Sequence, residues 1–152
     1  MLFGAGVLEA DATVPLTSAG YDAEYHGRLG PMPATAVNQF VSKAMPVLIT
    51  GGEVIEVTFS VGAKDGHAVG TLTPVYRDLK VKLQDPRASF FKRLEYSVIT
   101  FLAKEFIIRH DNPGKAGRPP RVGAIDHTFV GETIINFLWF AVRGGIKESM
   151  MK

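Results

Sequence analysis

The sequence predicts an α+β domain built mainly on an antiparallel, curved open β-sheet, groove-like in shape, with amphipathic helices that include a C-terminal one. Three observations carry that expectation. Apolar and polar residues alternate with a period of two in several stretches before Leu83, as in half-buried strands. Turn-forming segments such as "TSAG" and "KDG" separate those stretches. Beyond Pro86 the apolar spacing becomes helical.

The 152 residues fit a single domain spanning 1–152; such a length buries roughly two-thirds of the unfolded surface. A chain 46% hydrophobic and 21% charged has the composition of a folded protein. Its net charge of +2 is too small to point to nucleic acid. Cysteine is absent, which removes disulfides, zinc–thiolate sites and a thiol nucleophile, and suits a cytosolic or an envelope protein equally. The opening "MLFGAGVL" lacks a basic flank and is not read as a signal peptide. "TIINFLWFAV" is the longest apolar stretch, about half of the roughly 20 residues that span a bilayer. The chain therefore reads as soluble, as lying on a membrane, or as a piece of something larger.

In chain order, Leu8, Ala10, Ala12, Val14 and Leu16 alternate with polar residues, as do Tyr21, Ala23, Tyr25 and Leu29. With "TSAG" between them, the two stretches form an antiparallel hairpin with one dry face. Val37, Phe40, Val41, Ala44 and Met45 fall at helical spacing between Pro33 and Pro46, which predicts a short amphipathic helix. A second and stronger hairpin follows, with Ile55, Val57, Phe59 and Val61 on one face and Lys64 to Gly66 as its turn. "TGGEV" reads as a turn entering this strand. In "TLTPVYRDLKVKL", Val75, Leu79, Val81 and Leu83 take one side and Tyr76, Asp78, Lys80 and Lys82 the other. Pro74 marks an edge position, a bulge or a break. Arg77 is the anomaly, because simple alternation puts it on the apolar side. Downstream, Phe91, Leu94, Val98, Phe101 and Leu102 form a helical stripe, "NPGKAGRPP" must be a loop whose flanks suit two short strands, and "GETIINFLWFAVRGGIKESMMK" is the last helix.

Side chains able to carry chemistry are few and scattered. His110–Asp111 and Asp126–His127 invite a metal reading, but adjacent residues on a strand point to opposite faces, so neither pair chelates by itself. Asp111 and Asn112 before Pro113 are natural turn and anchoring residues. No serine sits in a G-x-S-x-G context, and no glycine loop has phosphate-binding spacing. Glu53 and Glu56 fall at a strand start, where solvated charge explains them. The expectation is a protein that is not an enzyme and uses no cofactor or metal. Lys80, Lys82, Arg87, Lys92 and Arg93 would suit phosphate of nucleic acid or lipid. Without interleaved aromatics, nucleic acid is the poorer match and is not expected as a partner.

The final helix is apolar on nearly all sides, interrupted among its large residues only by Asn136. Such a helix is buried in protein, or meets lipid or a partner. Trp139 near Arg143 and Lys147 also suits an interfacial anchor.

Several stretches occur in a suggestive order: "GRLGPMPATAVNQFV", then "ITGGEVIEVTFSVGAKDGHAVGTLTPVYRDLKV", then a helix, "FIIRHDNP" and "FLWFAVRGGIK". In this order, from about Ala10 onward, the sequence resembles the C-terminal part of the AsmA-like, TamB-related bacterial envelope proteins. The segment Gly70–Val81 is the most specific piece. The resemblance implies an inner-membrane-anchored periplasmic protein whose apolar β-groove carries phospholipid toward the outer membrane, in outer-membrane biogenesis, without catalysis. The chain departs from that family in lacking the N-terminal anchor and most of the repetitive β region.

Under that reading Ile55, Val57, Phe59, Val61, Leu79 and Val81 face lipid. Arg77, Lys80 and Lys82 stand at the rim toward headgroups, and Phe137, Trp139, Phe140 and Arg143 form a helix that meets membrane or partner. The partners would be phospholipid or acyl chains and a membrane surface or envelope protein. Arg77 would meet a phosphate; alternatively it snorkels, pairs with a carboxylate, or owes its place to a register shift near Pro74. The competing function is a structural domain that docks a partner protein through the apolar C-terminal helix.

Overall fold

The computed structural model describes residues 5–15, 22–39, 47–83, 109–131 and 133–150. Strands β1 (Leu8–Thr13), β2 (Ala23–Leu29), β3 (Met32–Pro33), β4 (Val47–Lys64), β5 (His67–Leu83) and β6 (Gly123–Thr128) form one open sheet, and α1 (Ile134–Met150) packs on it. Every pairing is antiparallel, in the order β1-β2-β4-β5-β6, with β3 added beside β4. The α+β class and the mainly antiparallel open sheet are thus as the alternation predicts.

The central hairpin turns at Asp65 and Gly66, whose φ values of 50° and 76° are both positive. That is the backbone a two-residue hairpin loop needs to match strand twist, and "DG" supplies it cheaply. Regular pairing then runs from Lys64↔His67 to Glu56↔Val75. Across it the dry face is continuous: Ala23 and Tyr25 lie beside Ala63 and Val61, which lie beside Ala68 and Gly70. Leu72 and Ile125 complete the row under α1. Phe137, Ala141, Gly145 and Ser149, each four residues apart, are the buried stripe of the helix. A Cβ on Gly123 would stand 1.9 Å from the Gly145 carbonyl oxygen, so helix and strand meet backbone to backbone. Burying a Phe side chain such as Phe137 contributes about 1.5–3 kcal/mol relative to exposure.

The other half of the hairpin is irregular, with register shifts between Ile49/Gly51, Gly51/Glu53 and Val54/Glu56. β4 carries the extra residue at Thr50 and at Ile55, and β5 carries one opposite Gly52. There Asp78 has φ 52° and Gly52 φ 108°. A side chain on Gly52 would approach the Asp78 carbonyl and the Leu79 Cα to 2.8 Å. Each bulge changes the phase of alternation. Tyr76 and Leu79 both become buried, whereas Arg77, Asp78 and Lys80 are exposed.

Arg77 therefore does not stand on the dry face. It keeps the exposed phase that buried Leu72, Pro74 and Tyr76 set. The phase changes only at Asp78, four residues after the proline expected to cause a shift, which brings Leu79 to the buried side. Tyr76, expected on the polar side, is buried in the phase of Leu72 and Pro74. "TGGEV" is likewise no entry turn: Thr50 to Val54 lie inside β4, and Glu53 and Glu56 lie well within the strand rather than at its start. Pro74 does occupy a local edge. Its carbonyl and the Tyr76 backbone face Asn112, beyond the last β6 pair at Leu72↔Gly123, so the missing N–H removes no ladder bond to β4.

The segment expected as a helix after Pro33 opens as a 3-10 turn, Ala34–Val37, with Asn38 in helical backbone; its remaining apolar positions, and the stripe Phe91 to Leu102, lie outside the described residues. Of the two short strands expected to flank "NPGKAGRPP", β6 forms; the other falls mostly outside the described residues, and beside it Asn112 makes a bridge to Tyr76.

Candidate functional site

The dry face carries two apolar clusters. In the first, Tyr25, Val61, Leu72, Ile125 and Phe137 are buried, and Val57 and Phe59 pack against them half-exposed. The second, over the bulged half of the hairpin, joins Ala34, Ile49, Tyr76 and Leu79, with Val54 and Val81 against them. Two asparagine amides fasten this second region. Asn38 accepts from the Ile49 N–H at 2.9 Å and donates to the Ile49 carbonyl at 2.8 Å, as a strand rung would. Asn112 is 1% exposed; it donates to the Pro74 carbonyl and to the Arg121 carbonyl at 3.2 Å and accepts from the Arg121 N–H at 2.7 Å. A buried amide so fully engaged fixes the 109–122 segment against β5.

The residues expected to face lipid thus divide. Val57, Phe59 and Val61 share the first cluster, Leu79 and Val81 the second. Val61 and Leu79 are buried, and Ile55, displaced from its row by the bulge, is half-buried while Val54 packs in its stead. Toward the β1 edge the dry face opens. Leu8, Ala10 and Ala12 pair with Leu29, Gly27 and Tyr25 and are exposed, Leu8 by 42%. Exposed Val7 and Val14 flank them.

Arg77, Lys80 and Lys82 project to the wet face, exposed, and Arg77 makes no ion pair among the described residues. On that face Arg28 pairs with Glu56, His26 with Asp11 at 3.6 Å and His67 with Asp126 at 3.5 Å. These pairs are solvated and contribute little to stability.

On α1, Phe137 is fully buried against the sheet, so its surface is used by the protein's own core. Phe140 is half-buried, with the His127 ring 5.6 Å away and the exposed Arg143 guanidinium 5.0 Å from its centroid. Trp139 lies in the helix, with its side chain outside the description. No helix among the described residues is long and apolar enough to cross a membrane.

The His–Asp dipeptides do not converge. His110 Nδ1 lies 2.9 Å from the Leu79 carbonyl, and Asp111 accepts the Asp78 N–H at 2.9 Å, so this pair ties the loop to the bulge. Asp126 faces His67 on the wet side, while His127 packs between Phe137 and Phe140. Among the described residues no three potential ligands gather.

Two tyrosines stand out that sequence reasoning did not single out. Tyr25 and Tyr76 have buried hydroxyls with no hydrogen-bond partner among the described residues, and the buried Arg109 Nε likewise has none among them. Burial pushes the Tyr25 phenol up to about 12. Burial also raises Tyr76; Arg109 and Arg121 oppose the shift, and Asp111 adds to it. Period-two alternation put Tyr25 on the dry side, but nothing in the sequence marks a hydroxyl as unpartnered. Comparison with family models, with curated proteins and with solved structures finds no match to this chain.

Proposed function

We propose that this chain is a non-enzymatic lipid-handling module of a bacterial cell envelope, taking acyl chains on the dry face of a curved open sheet. It would act in the periplasm as part of an inner-membrane-anchored assembly and contribute to phospholipid transport. The observation that carries the reading is the incomplete cover of that face. From half-buried Val57 and Phe59 the apolar row continues across Tyr25 and Leu29 to exposed Leu8, Ala10 and Ala12 at the β1 edge. Acyl chains suit such a strip because they need no hydrogen-bond partners, and contiguous exposed apolar surface marks binding sites. The resemblance to AsmA-like proteins supports the same class of ligand.

The docking alternative, through α1, has less support, because Phe137, Ala141 and Gly145 are turned to the sheet. The test is binding of a fluorescent fatty-acyl probe and phospholipid co-purification. Leu8→Asp alters an exposed position and leaves the core intact; with Phe59→Glu it should abolish binding. A folded protein that binds no probe, or a Leu8→Asp variant that binds as well as the parent, would sink the proposal.

A further inference from the structure

Strand β1 joins the sheet through β2 alone, and all six of its residues are exposed. Nothing among the described residues pairs with its other side. The Gly30 N–H donates to the Val7 carbonyl at 2.8 Å, which makes Val7 and Gly30 a hydrogen-bonded pair in the register of Leu8↔Leu29. Bonded and non-bonded pairs alternate in an antiparallel ladder, so Glu9, Asp11 and Thr13 turn their backbone groups to β2. Leu8, Ala10 and Ala12 turn theirs outward. The side chains of the same three residues lie on the dry face, opposite Leu29, Gly27 and Tyr25. Val7, Leu8 and Val14 are three of the seven exposed large apolar residues, so this edge is apolar as well as open. Free N–H and C=O groups in a row are a template for an added strand.

The wet side of β1 decides what kind of strand fits. It carries Glu9 and Asp11, both exposed. Among the described residues Asp11 has only His26 as an ionic partner, 3.6 Å away, and Arg28, opposite Glu9, pairs with Glu56. An incoming residue opposite Glu9 or Asp11 would stand in a non-hydrogen-bonded pair, where Cα atoms come within about 4.5 Å and cross-strand charges interact. A second copy of β1 is a poor occupant. Antiparallel registers centred on Ala10 oppose Glu9 to Asp11, and those centred on Glu9 or Asp11 oppose that acid to itself. Like charges so placed are destabilising. The complementary strand has Lys or Arg at those places and apolar residues between them.

We propose that the outer edge of β1 binds an extended, basic segment of a partner protein by strand addition. Backbone hydrogen bonds to Leu8, Ala10 and Ala12 hold the segment, and its alternate apolar side chains continue the dry face. Its Lys or Arg side chains meet Glu9 and Asp11 and set the register. The inference rests on the edge and its charges, and stands whether or not the dry face carries acyl chains.

The test uses the full chain and a labelled peptide, as long as β1, that alternates valine with lysine; a valine–glutamate peptide is the control. Fluorescence anisotropy at low ionic strength reads binding, and hydrogen exchange reads which amides are covered. The valine–lysine peptide should bind saturably, and the amides of Leu8, Ala10 and Ala12 should gain protection in the complex. Ala10→Pro removes one outward N–H and no bond to β2, a place where an edge strand tolerates proline. The sheet should therefore persist while binding is lost. Glu9→Lys with Asp11→Lys should weaken the valine–lysine peptide about tenfold and let the valine–glutamate peptide bind instead. The proposal is overturned if the valine–lysine peptide does not bind, binds no better than the control, or leaves those three amides unprotected. Undiminished binding to Ala10→Pro or to the charge-reversed variant would overturn it too. So would protection of the same amides in the free chain, since the edge would then already be covered.

Discussion

The two halves of the β4–β5 hairpin solve the same problem differently. Next to the turn, from Lys64↔His67 to Glu56↔Val75, the ladder is regular and its dry side is closed by a helix that crosses at Gly123 and Gly145. At the other end three register shifts interrupt the ladder, and the dry side is met by a 3-10 turn and two asparagine amides. The regular half is held chiefly by apolar burial and close packing. The bulged half relies more on polar fastening, and it holds one of the two buried phenols that have no hydrogen-bond partner among the described residues. Strand irregularity of this kind re-aims side chains and is typical of positions next to binding sites.

The difference predicts separate responses to mutation. The largest effect belongs to the helix-covered half. Phe137→Ala removes a fully buried ring and should cost about 3–5 kcal/mol, read as a fall in denaturant midpoint at unchanged slope. In native-state hydrogen exchange, amides at Gly70 and Leu72 should lose more protection than those at Tyr76 and Leu79. Equal loss in both halves would mean one cooperative unit, and the contrast drawn above would fail.

Asn112→Ala is the reciprocal experiment. It leaves the Arg121 N–H without its acceptor and the Pro74 carbonyl without its donor, at a cost of about 1–3 kcal/mol. Protection should now fall first at Tyr76 and Leu79, with Gly70 and Leu72 little changed. Should both variants give the same exchange pattern, the polar fastening would have no local role.

The same contrast decides what was legible in the sequence. In the regular half, alternation correctly paired Val57, Phe59 and Val61 on one face, and "KDG" marked the turn. In the bulged half the alternation was equally clean and misleading. A one-residue insertion moves every later side chain to the opposite face, yet its trace is a single Asp or Gly able to take positive φ. Asp78 and Gly52 mark that shift: Tyr76 keeps the buried phase of Leu72 and Pro74, Arg77 stays exposed, and Leu79 beyond Asp78 returns to the buried side. The partners of Asn38 and Asn112 were illegible for a different reason, since a long-range amide contact leaves no periodic signal. Of the dry-face residues, Val57 and Phe59 keep a place on the partly open side, whereas Val61 and Leu79 are buried, a distinction that depends on which element covers which strand.

The smallest effect at neutral pH should come from Tyr25→Phe, which probes the regular half without disturbing its shape. The hydroxyl is buried among apolar groups with no partner among the described residues, so its removal should be neutral or stabilise by up to about 1 kcal/mol. The informative readout is alkaline. Burial raises the folded-state phenol to about 12 from its ordinary 10.0. Between those values the unfolded chain loses the proton while the folded chain keeps it, so the unfolded state binds fewer protons and stability falls as pH rises. The contribution is fully present below the unfolded value and is lost on the way to the folded one. Tyr25→Phe should flatten that alkaline decline in chemical-denaturation midpoints measured from pH 9 to 11, leaving the slope due to Tyr76 and other groups. An identical decline in parent and variant would show that the Tyr25 hydroxyl reaches solvent in the folded protein, and would open the regular half of the dry face further toward the β1 edge.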